Sequence, residues 1–404
     1  MQLILEKRQD RSAFFALFSP FLALGLTLIA GAIIFVFLGI SPIQGLYVYF
    51  IEPFTQLWSV EQLVVKAAPL ILIGVGLAIC YMANVWNIGA EGQFTIGAIT
   101  GSIAPVMFPE WQDPSILIVM LLMGVMGGAL YGLIPGLLKT RFNANEILTS
   151  LMLVYVAQLF LDWIVRGPWR DPQGFNFPVT KTFAGWQLLP TLGGTIHLGA
   201  LFALLACVAL AFLMAKTLKG FEIKVAGNAP RAGRFAGFSR DRMVLFCFML
   251  SGGLAGLAGI CEVASVVGKL QPQISPGYGF AAIIVAFLGR LNPLGVLFAG
   301  LLLALSYIGG EAAQVTLGIS DKIAKVFQGI LLFFILSPAT RSFFTVSNLK
   351  VDVCQRSIRR SSKTWINLSP SSLPLSLPRP RCSLPPLASW WLNVRVFSTW
   401  VLKA

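Results

Sequence analysis

Polar side chains are concentrated in one short stretch of a chain that is otherwise strongly apolar. The stretch NVWNIGAEGQF, residues 84–94, contains three amides and one carboxyl group: Asn84, Asn87, Glu91 and Gln93. Such groups can hydrogen-bond the hydroxyl groups of a ligand, for example those of a ribose. They can also cap helix ends and bond one another, because Asn is a good N-cap and Glu is favoured in the first turn of a helix.

A second polar pair, Asn145 and Glu146, stands directly before another apolar run, in NANEILTSLMLVYVA at 143–157. An ionisable residue at membrane depth is by default a functional candidate. Non-helical backbone at that depth is tolerated only inside protein or beside a wet cavity. We therefore predict that this pair and the four residues in 84–94 line a substrate pathway at an interrupted membrane helix. Helix capping is the structural alternative.

Composition identifies the elements that must position these groups. The chain has 404 residues, of which 56% are hydrophobic and 11% charged. Apolar runs of about 20 residues, the length that crosses a bilayer, recur along it. The alternation of apolar and polar residues typical of a transmembrane barrel is missing. We predict an all-α polytopic membrane protein. With one histidine and no metal-ligand spacing of cysteines, no metal site is predicted.

About ten membrane spans are predicted. Their approximate limits are 14–40, 63–82, 92–108, 116–138, 146–165, 198–216, 243–267, 279–290, 293–310 and 322–337. Residues 1–340 would form one transmembrane domain. Residues 341–404 form a Ser-, Pro- and Arg-rich tail without helical periodicity, which we interpret as disordered or loosely membrane-associated. The abrupt change in composition leaves a shifted reading frame as the alternative origin of this tail.

The distribution of basic residues predicts the orientation, because cytoplasmic loops carry an excess of Lys and Arg. With a cytoplasmic N-terminus, 14 basic residues of the spans and loops fall on the cytoplasmic side and seven on the other. Both termini are therefore predicted to be cytoplasmic. The net charge is +14, but residues 341–404 alone carry ten Lys or Arg and one acid. The basic excess is mainly a property of the tail, and no nucleic-acid partner is predicted.

The longest cytoplasmic segment is predicted at 216–242. It is basic and is divided by three helix-breaking residues, Gly227, Asn228 and Pro230. A short helix from Pro230 to Gly237 would present Phe235 on one side and Arg231 and Arg234 on another. That arrangement suits docking into a groove on a cytoplasmic partner. A solvated loop is the alternative.

A second glycine-rich break occurs in SPGYGFAAIIVAFLGRLNPLG at 275–295. It follows a span that runs in the direction opposite to the span before 84–94. Interrupted helices in two halves of opposite direction are typical of inverted repeats with a path between them. We therefore predict that spans 2–5 and 7–10 are inverted repeats, although the two halves share no clear residue-level match.

Five blocks, in order, resemble the permease subunits of ABC importers in the branched-chain amino acid/ribose/nucleoside group. The similarity is closest to the nucleoside, or simple-sugar-like, branch. The blocks cover about 60–340 and are NIGAEGQFTIGA, NANEILTSLMLVYVA, VAGNAPRAGRFAGFSRDR with the following SGGLAGLAG, SPGYGFAAIIVAFLGRLNPLG, and YIGGEAAQ.

The resemblance implies a subunit of a larger machine in the bacterial plasma (inner) membrane. Cytoplasmic ABC ATPases would dock on the segment 216–242. A second permease subunit, identical or paralogous, would complete the path through the lipid membrane. An extracytoplasmic binding protein would deliver the substrate. The resemblance assigns ATPase coupling to Glu222, Gly227, Asn228, Arg231, Arg234 and Gly237. The chain contains no GxxxxGK[ST] phosphate loop, so we expect no cofactor in this chain and ATP use by a partner.

Nucleosides or nucleobases are the predicted substrates, and a simple sugar is the alternative. A secondary transporter driven by ions is a second alternative, but it would need ionisable residues in the spans. Few are available, namely Glu146, Asp162, Glu262 and Glu311. A membrane-embedded enzyme would need paired carboxylates or a nucleophilic site, and neither pattern is present. We therefore predict a transport subunit that is not itself an enzyme.

Overall fold

The structure is a computed structural model of the chain. It describes residues 3–7, 25–26, 28–37, 39–111, 113–174, 177–320, 325–326, 329–330, 333 and 344–348. Two short strands near the chain ends, β1 (Leu3–Lys7) and β4 (Phe344–Asn348), form a two-stranded sheet. Of the predicted tail at 341–404, only β4 falls within the described residues, so the interpretation of the tail stays a prediction.

Helices account for most of the described chain, in agreement with the predicted all-α class. Their bounds are α1 (Leu28–Phe37), α2 (Pro42–Phe50), α3 (Glu52–Thr55), α4 (Leu57–Met82), α5 (Ala90–Gly101), α6 (Ile103–Met107), α7 (Ser115–Phe142), α8 (Glu146–Arg166), α9 (Leu198–Lys216), α10 (Leu218–Asn228), α11 (Pro230–Phe235), α12 (Arg240–Glu262), α13 (Tyr278–Leu288) and α14 (Pro293–Leu317).

Six of these helices are long and apolar enough to cross a membrane within the described residues: α4, α7, α8, α9, α12 with its π-helical extension Val263–Val267, and α14. Each coincides with a predicted span. The predicted span 92–108 is instead two short helices, α5 and α6, and 279–290 is the 11-residue α13. All of 14–24 and most of 322–337 lie outside the described residues. The predicted total of about ten spans is therefore compatible with the structure, but the described residues do not fix the number.

Helix α4 is the central element of the bundle. Of the window that could cross a membrane, 89% of the residues are buried, against 28% for α8 and α9. Its most extensive contacts are with α9, α12, α13 and α14. A helix that is apolar on all sides and buried is expected at the core of a bundle. The first and second predicted halves of the chain therefore meet along α4.

Glycines bring α7 and α12 into backbone contact, as their four-residue spacing suggests. A Cβ added at Gly128 would lie 2.7 Å from the Cα of Gly256, and one at Gly132 would lie 2.6 Å from the carbonyl oxygen of Phe248. Small residues at such spacing let helices approach closely in lipid. These glycines of α7 and α12 thus form a packing surface between the two helices.

The segment between α8 and α9 covers the end of the bundle distant from α10 and α11. It contains a hairpin of β2 (Thr191–Gly193) and β3 (Ile196–His197). Backbone hydrogen bonds attach it to the chain after α12, including Phe183 N–H to Gly268 C=O at 2.8 Å. His197 is buried, and its Nδ1 accepts a hydrogen bond from the Gly199 N–H, which caps α9.

Candidate functional site

The polar stretch 84–94 is a break between two helices, as predicted. Helix α4 ends at Met82, and Asn84 adopts a left-handed conformation with φ 58°. The N-cap of α5 is Gly89, so neither Asn84 nor Asn87 caps this helix in the way that the structural alternative would require. Gly89 packs against α8, where a Cβ would lie 2.9 Å from the carbonyl oxygen of Ser150. This close backbone approach fixes the start of α5 at a glycine.

Asn87 and Gln93 form a closed, fully buried hydrogen-bond network with Ser251 of α12. The Asn87 Nδ2 donates to Gln93 Oε1 at 2.9 Å and to Ser251 Oγ at 3.1 Å. Gln93 Nε2 donates back to Asn87 Oδ1, which also accepts the N–H of Gly89. We call Asn87, Gln93 and Ser251 the Asn87 network. Its groups are largely satisfied by one another, as buried polar groups in proteins usually are.

Glu91 lies in the first turn of α5, as predicted, and connects the two broken segments of the chain. Its carboxylate Oε2 accepts the backbone N–H of Gly279 at 2.6 Å, at the start of α13. A carboxylate is favoured at a helix N-terminus, where N–H groups are free and the dipole is positive. A Cβ at Gly279 would lie 2.6 Å from the Cα of Glu91, so the junction requires a glycine.

The other predicted pathway residues lie apart from this junction. Asn84 is exposed, and its Oδ1 accepts the indole N–H of Trp86 at 3.2 Å. Asn145 is the N-cap of α8, where it accepts the N–H of Ile147. Glu146 is paired with Lys139 at 2.8 Å. The six candidates are therefore distributed over separate places, and their assignment to one substrate pathway remains a prediction.

A cluster of charged residues outside the predicted pathway set lies near the junction. Lys66 of α4 forms an ion pair with Glu311 of α14. Glu262, at the end of α12, is buried within the electrostatic reach of Lys66. Tyr278 is buried, and its ring centroid lies 6.1 Å from that of Tyr307, which is one helical turn before Glu311 on α14. The presence of Glu262 and Glu311 in an acid-poor bundle was the available signal, but only the fold brings them together.

The predicted division of the basic segment 216–242 into two pieces is confirmed. It forms α10 and α11, and α11 begins at Pro230 as expected. Phe235 is 94% exposed, whereas Glu222 is paired with Lys219 at 2.8 Å.

The remaining coupling residues lie around the same two helices. Asn228 ends α10, and Gly237 turns the chain after α11 with φ 81°. Arg231 and Arg234 line a cavity of about 160 Å³ beside α11. Gly227 touches the end of α4, because an added Cβ there would overlap the carbonyl oxygen of Met82. The surface helices therefore contact the residues that immediately precede the break at 84–89.

A bundle of long apolar helices with half-length helices meeting inside it is the architecture of a membrane transport protein. The chain belongs to the family described as the branched-chain amino acid transport system / permease component, whose model matches residues 59–336. The match covers the helical bundle from α4 onward and confirms the predicted family.

Three relatives illustrate the family. The chain is 34% identical to a glucose ABC transporter permease protein of Haloferax volcanii, over 85% of this chain and 92% of the relative. It is 29% identical to a nucleoside ABC transporter permease protein of Lactococcus lactis, over 78% and 89%. It is also 29% identical to a guanosine ABC transporter permease protein of Bacillus subtilis, over 79% and 92%. The chain is thus an ABC-type permease subunit and a multi-pass membrane protein.

Proposed function

We propose that this chain moves nucleosides or nucleobases inward as the membrane-spanning subunit of an ATP-driven importer. The observation that carries the proposal is the junction of Glu91 with the N-terminus of α13, where two interrupted helices from the two halves of the chain meet. In transporters, binding sites form where such half-helices converge near the middle of the membrane. Two relatives whose names specify nucleosides or guanosine support the substrate class.

The partners follow from the architecture of the family. A second permease subunit, identical or paralogous, completes the path, and an extracytoplasmic binding protein delivers the substrate. The chain has no phosphate loop of its own, so ATP is hydrolysed by cytoplasmic ATPases. The protein lies in the plasma (inner) membrane with both termini in the cytoplasm, the orientation favoured by its basic loops.

The ATPases dock on α10 and α11. Phe235 is a large, exposed apolar side chain of the kind that anchors helix-in-groove contacts, and Arg231 and Arg234 lie on the same short helix. Charge reversal at both arginines is expected to abolish co-purification of the ATPase. Reversal of Arg141, which is exposed at the end of α7, is the control. Unchanged recovery of the ATPase with the first variant would contradict this docking site.

Uptake tests the transport proposal directly. The subunit is expressed with its neighbouring ATPase and partner subunits in a strain that lacks its own nucleoside transporters. Labelled uridine, adenosine, ribose and glucose are offered with and without a block on ATP supply. We expect ATP-dependent nucleoside uptake that is lost in Glu91→Ala and retained in Glu110→Ala, an exposed acid used as control. Uptake that survives ATP depletion but collapses with the proton gradient would favour an ion-coupled transporter.

A simple sugar is the second candidate substrate. The relative with the highest identity among the three is named as a glucose permease, and it shares 34% of its residues with this chain. Uptake of ribose or glucose without nucleoside uptake would keep the class of transporter and change its substrate. In this kind of importer the binding protein performs the first selection, so the assay must include the natural binding protein.

A further inference from the structure

A cavity opens at the end of the bundle opposite to the coupling helices. Gly227 of α10 touches the last residue of α4, and the 26 residues of α4 extend about 39 Å from there. The first turns of α4 therefore lie at the far end. There they line a cavity of about 350 Å³ together with α3 and the last turns of α14. Sites for small ligands commonly have volumes of roughly 300–1,000 Å³.

The lining of this cavity combines carboxyl groups, amides and an aromatic ring. Glu52 and Glu311 supply the carboxyl groups, Gln56 and Gln62 supply the amides, and Trp58 is 62% exposed. We call this space the outer cavity. Carboxyl and amide oxygens accept hydrogen bonds from hydroxyl groups, and an aromatic face packs against an apolar ring surface.

Two buried polar groups near the Lys66–Glu311 pair have no hydrogen-bond partner among the described residues. Within the described residues, neither the Glu262 carboxylate nor the Tyr278 hydroxyl is hydrogen-bonded, although the side chains are only 6% and 4% exposed. Among the described residues, the one polar side-chain atom that is both fully enclosed and without a hydrogen bond is Nε2 of His197. The Glu262 carboxyl group and the Tyr278 hydroxyl group are therefore not fully enclosed. Buried polar groups normally have partners, so these two groups are available to bond water or a ligand.

Charge connects the outer cavity to these groups. Glu311 lines the cavity and pairs with Lys66, and Lys66 in turn acts on Glu262. The lining of the outer cavity contains Glu52 and Glu311 and no basic side chain, so Lys66 offsets only one of the two negative charges. An anionic ligand would therefore be repelled. A neutral ligand rich in hydroxyl groups would find hydrogen-bond acceptors in the cavity lining and at Glu262 and Tyr278.

We propose that the outer cavity, together with Glu262 and Tyr278, is a binding site for neutral, hydroxyl-rich ligands that excludes their phosphorylated forms. The proposal rests on the proposed function for its orientation, in which this end of the bundle faces outward. It adds a basis for selecting nucleosides over nucleotides within the permease itself, separate from the selection made by the binding protein.

Cysteine labelling tests the charge of the site without requiring transport. Gln62→Cys is introduced into the complete transporter in intact cells, with Thr316→Cys as a second reporter of the same cavity and the parent chain as background. Membrane-impermeant methanethiosulfonate reagents, one cationic and one anionic, are compared. We expect the cationic reagent to react about tenfold faster. The preference should vanish when Glu52 and Glu311 are both changed to Gln.

An exposed reporter outside the cavity is the control. At Gln173→Cys, in the segment between α8 and α9, the ratio of the two rates should not change when Glu52 and Glu311 are neutralised. An equal change at both reporters would mean that the field is general to the surface and would overturn the proposal. A missing cationic preference at both cavity reporters would overturn it as well.

Ligand protection tests the specificity of the site. Uridine and glucose should slow labelling of Gln62→Cys several-fold, whereas uridine 5′-monophosphate at the same concentration should not. Glu262→Gln and Tyr278→Phe should weaken the protection while labelling without ligand is unchanged. Equal protection by the nucleotide, or none by either neutral ligand, would overturn the proposal. Labelling only after permeabilisation would instead refute the orientation, and the same comparisons in permeabilised membranes would still decide on the site.

Discussion

Two polar regions inside the same bundle differ in how their hydrogen bonds are completed. In the Asn87 network, the two amides bond each other, and both the Ser251 hydroxyl and the Gly89 N–H are included. Glu262 and Tyr278 are also buried, but within the described residues their side chains have no hydrogen-bond partner. The difference indicates that the first region holds helices together and that the second is built to meet something that is not protein.

The comparison predicts that substitutions in the two regions reduce stability by different amounts, and the largest loss is expected at Asn87. Asn87→Leu would leave Gln93, Ser251 and the Gly89 N–H without their partners in a buried place. At about 1–3 kcal/mol for each unsatisfied group, we expect a loss of at least about 3 kcal/mol. The measurement is thermal unfolding of the purified complex. A variant as stable as the parent chain would show that water or other groups replace the network.

His197 is a third case, because its Nε2 is enclosed without a partner. Burial lowers the pKa of His197 to about 4, so the imidazole is neutral at pH 7 in the folded protein. The unfolded chain takes up a proton near pH 6.5. The contribution of His197 to the free energy of unfolding is therefore fully present above pH 6.5. It falls as the pH drops toward 4, by up to about 1.4 kcal/mol per pH unit.

Unfolding at pH 7, 6 and 5 measures this loss. His197→Asn keeps a side chain that can cap α9 and removes the titrating group. Its stability should therefore vary less between pH 7 and pH 5 than that of the parent chain. The same slope in both proteins would assign the acid sensitivity to other residues.

The smallest effects on stability are expected at the unpartnered groups. Glu262→Gln and Tyr278→Phe remove no hydrogen bond within the described protein, so each should change the stability by less than about 0.5 kcal/mol. The same thermal unfolding assay applies, with Asn87→Leu as the reference for a completed network. A loss comparable to that of Asn87→Leu would mean that these groups are structural, and the distinction between the two regions would fail.

The helices were predictable because long apolar runs determine them locally. The runs before 84 and after 243 correspond to α4 and α12, and Pro230 marks the start of α11 as its missing N–H requires. The run at 92–108 is continuous in hydropathy, yet the chain divides it at Ser102, whose Oγ donates to the Ala98 carbonyl within the helix. Periodicity and composition do not reveal such a division.

The roles of the polar residues could not be predicted, because their partners are distant in sequence. Ser251 lies 164 residues beyond Asn87, and Gly279 lies 188 residues beyond Glu91. The residue types correctly indicated that hydrogen bonding matters in 84–94. Which groups are satisfied and which are left open depends on how the two halves of the chain pack, and that is a property of the folded bundle alone.

The contact of Gly227 with the Met82 carbonyl has a mechanical consequence. Where two backbones touch, there is no side chain whose rotamer change can absorb a small displacement. A displacement of α10 would therefore be transmitted directly to the end of α4. The stretch from Asn84 to Gly89 connects the end of α4 to α5, so a displacement of that end would reach the junction of the interrupted helices through the backbone.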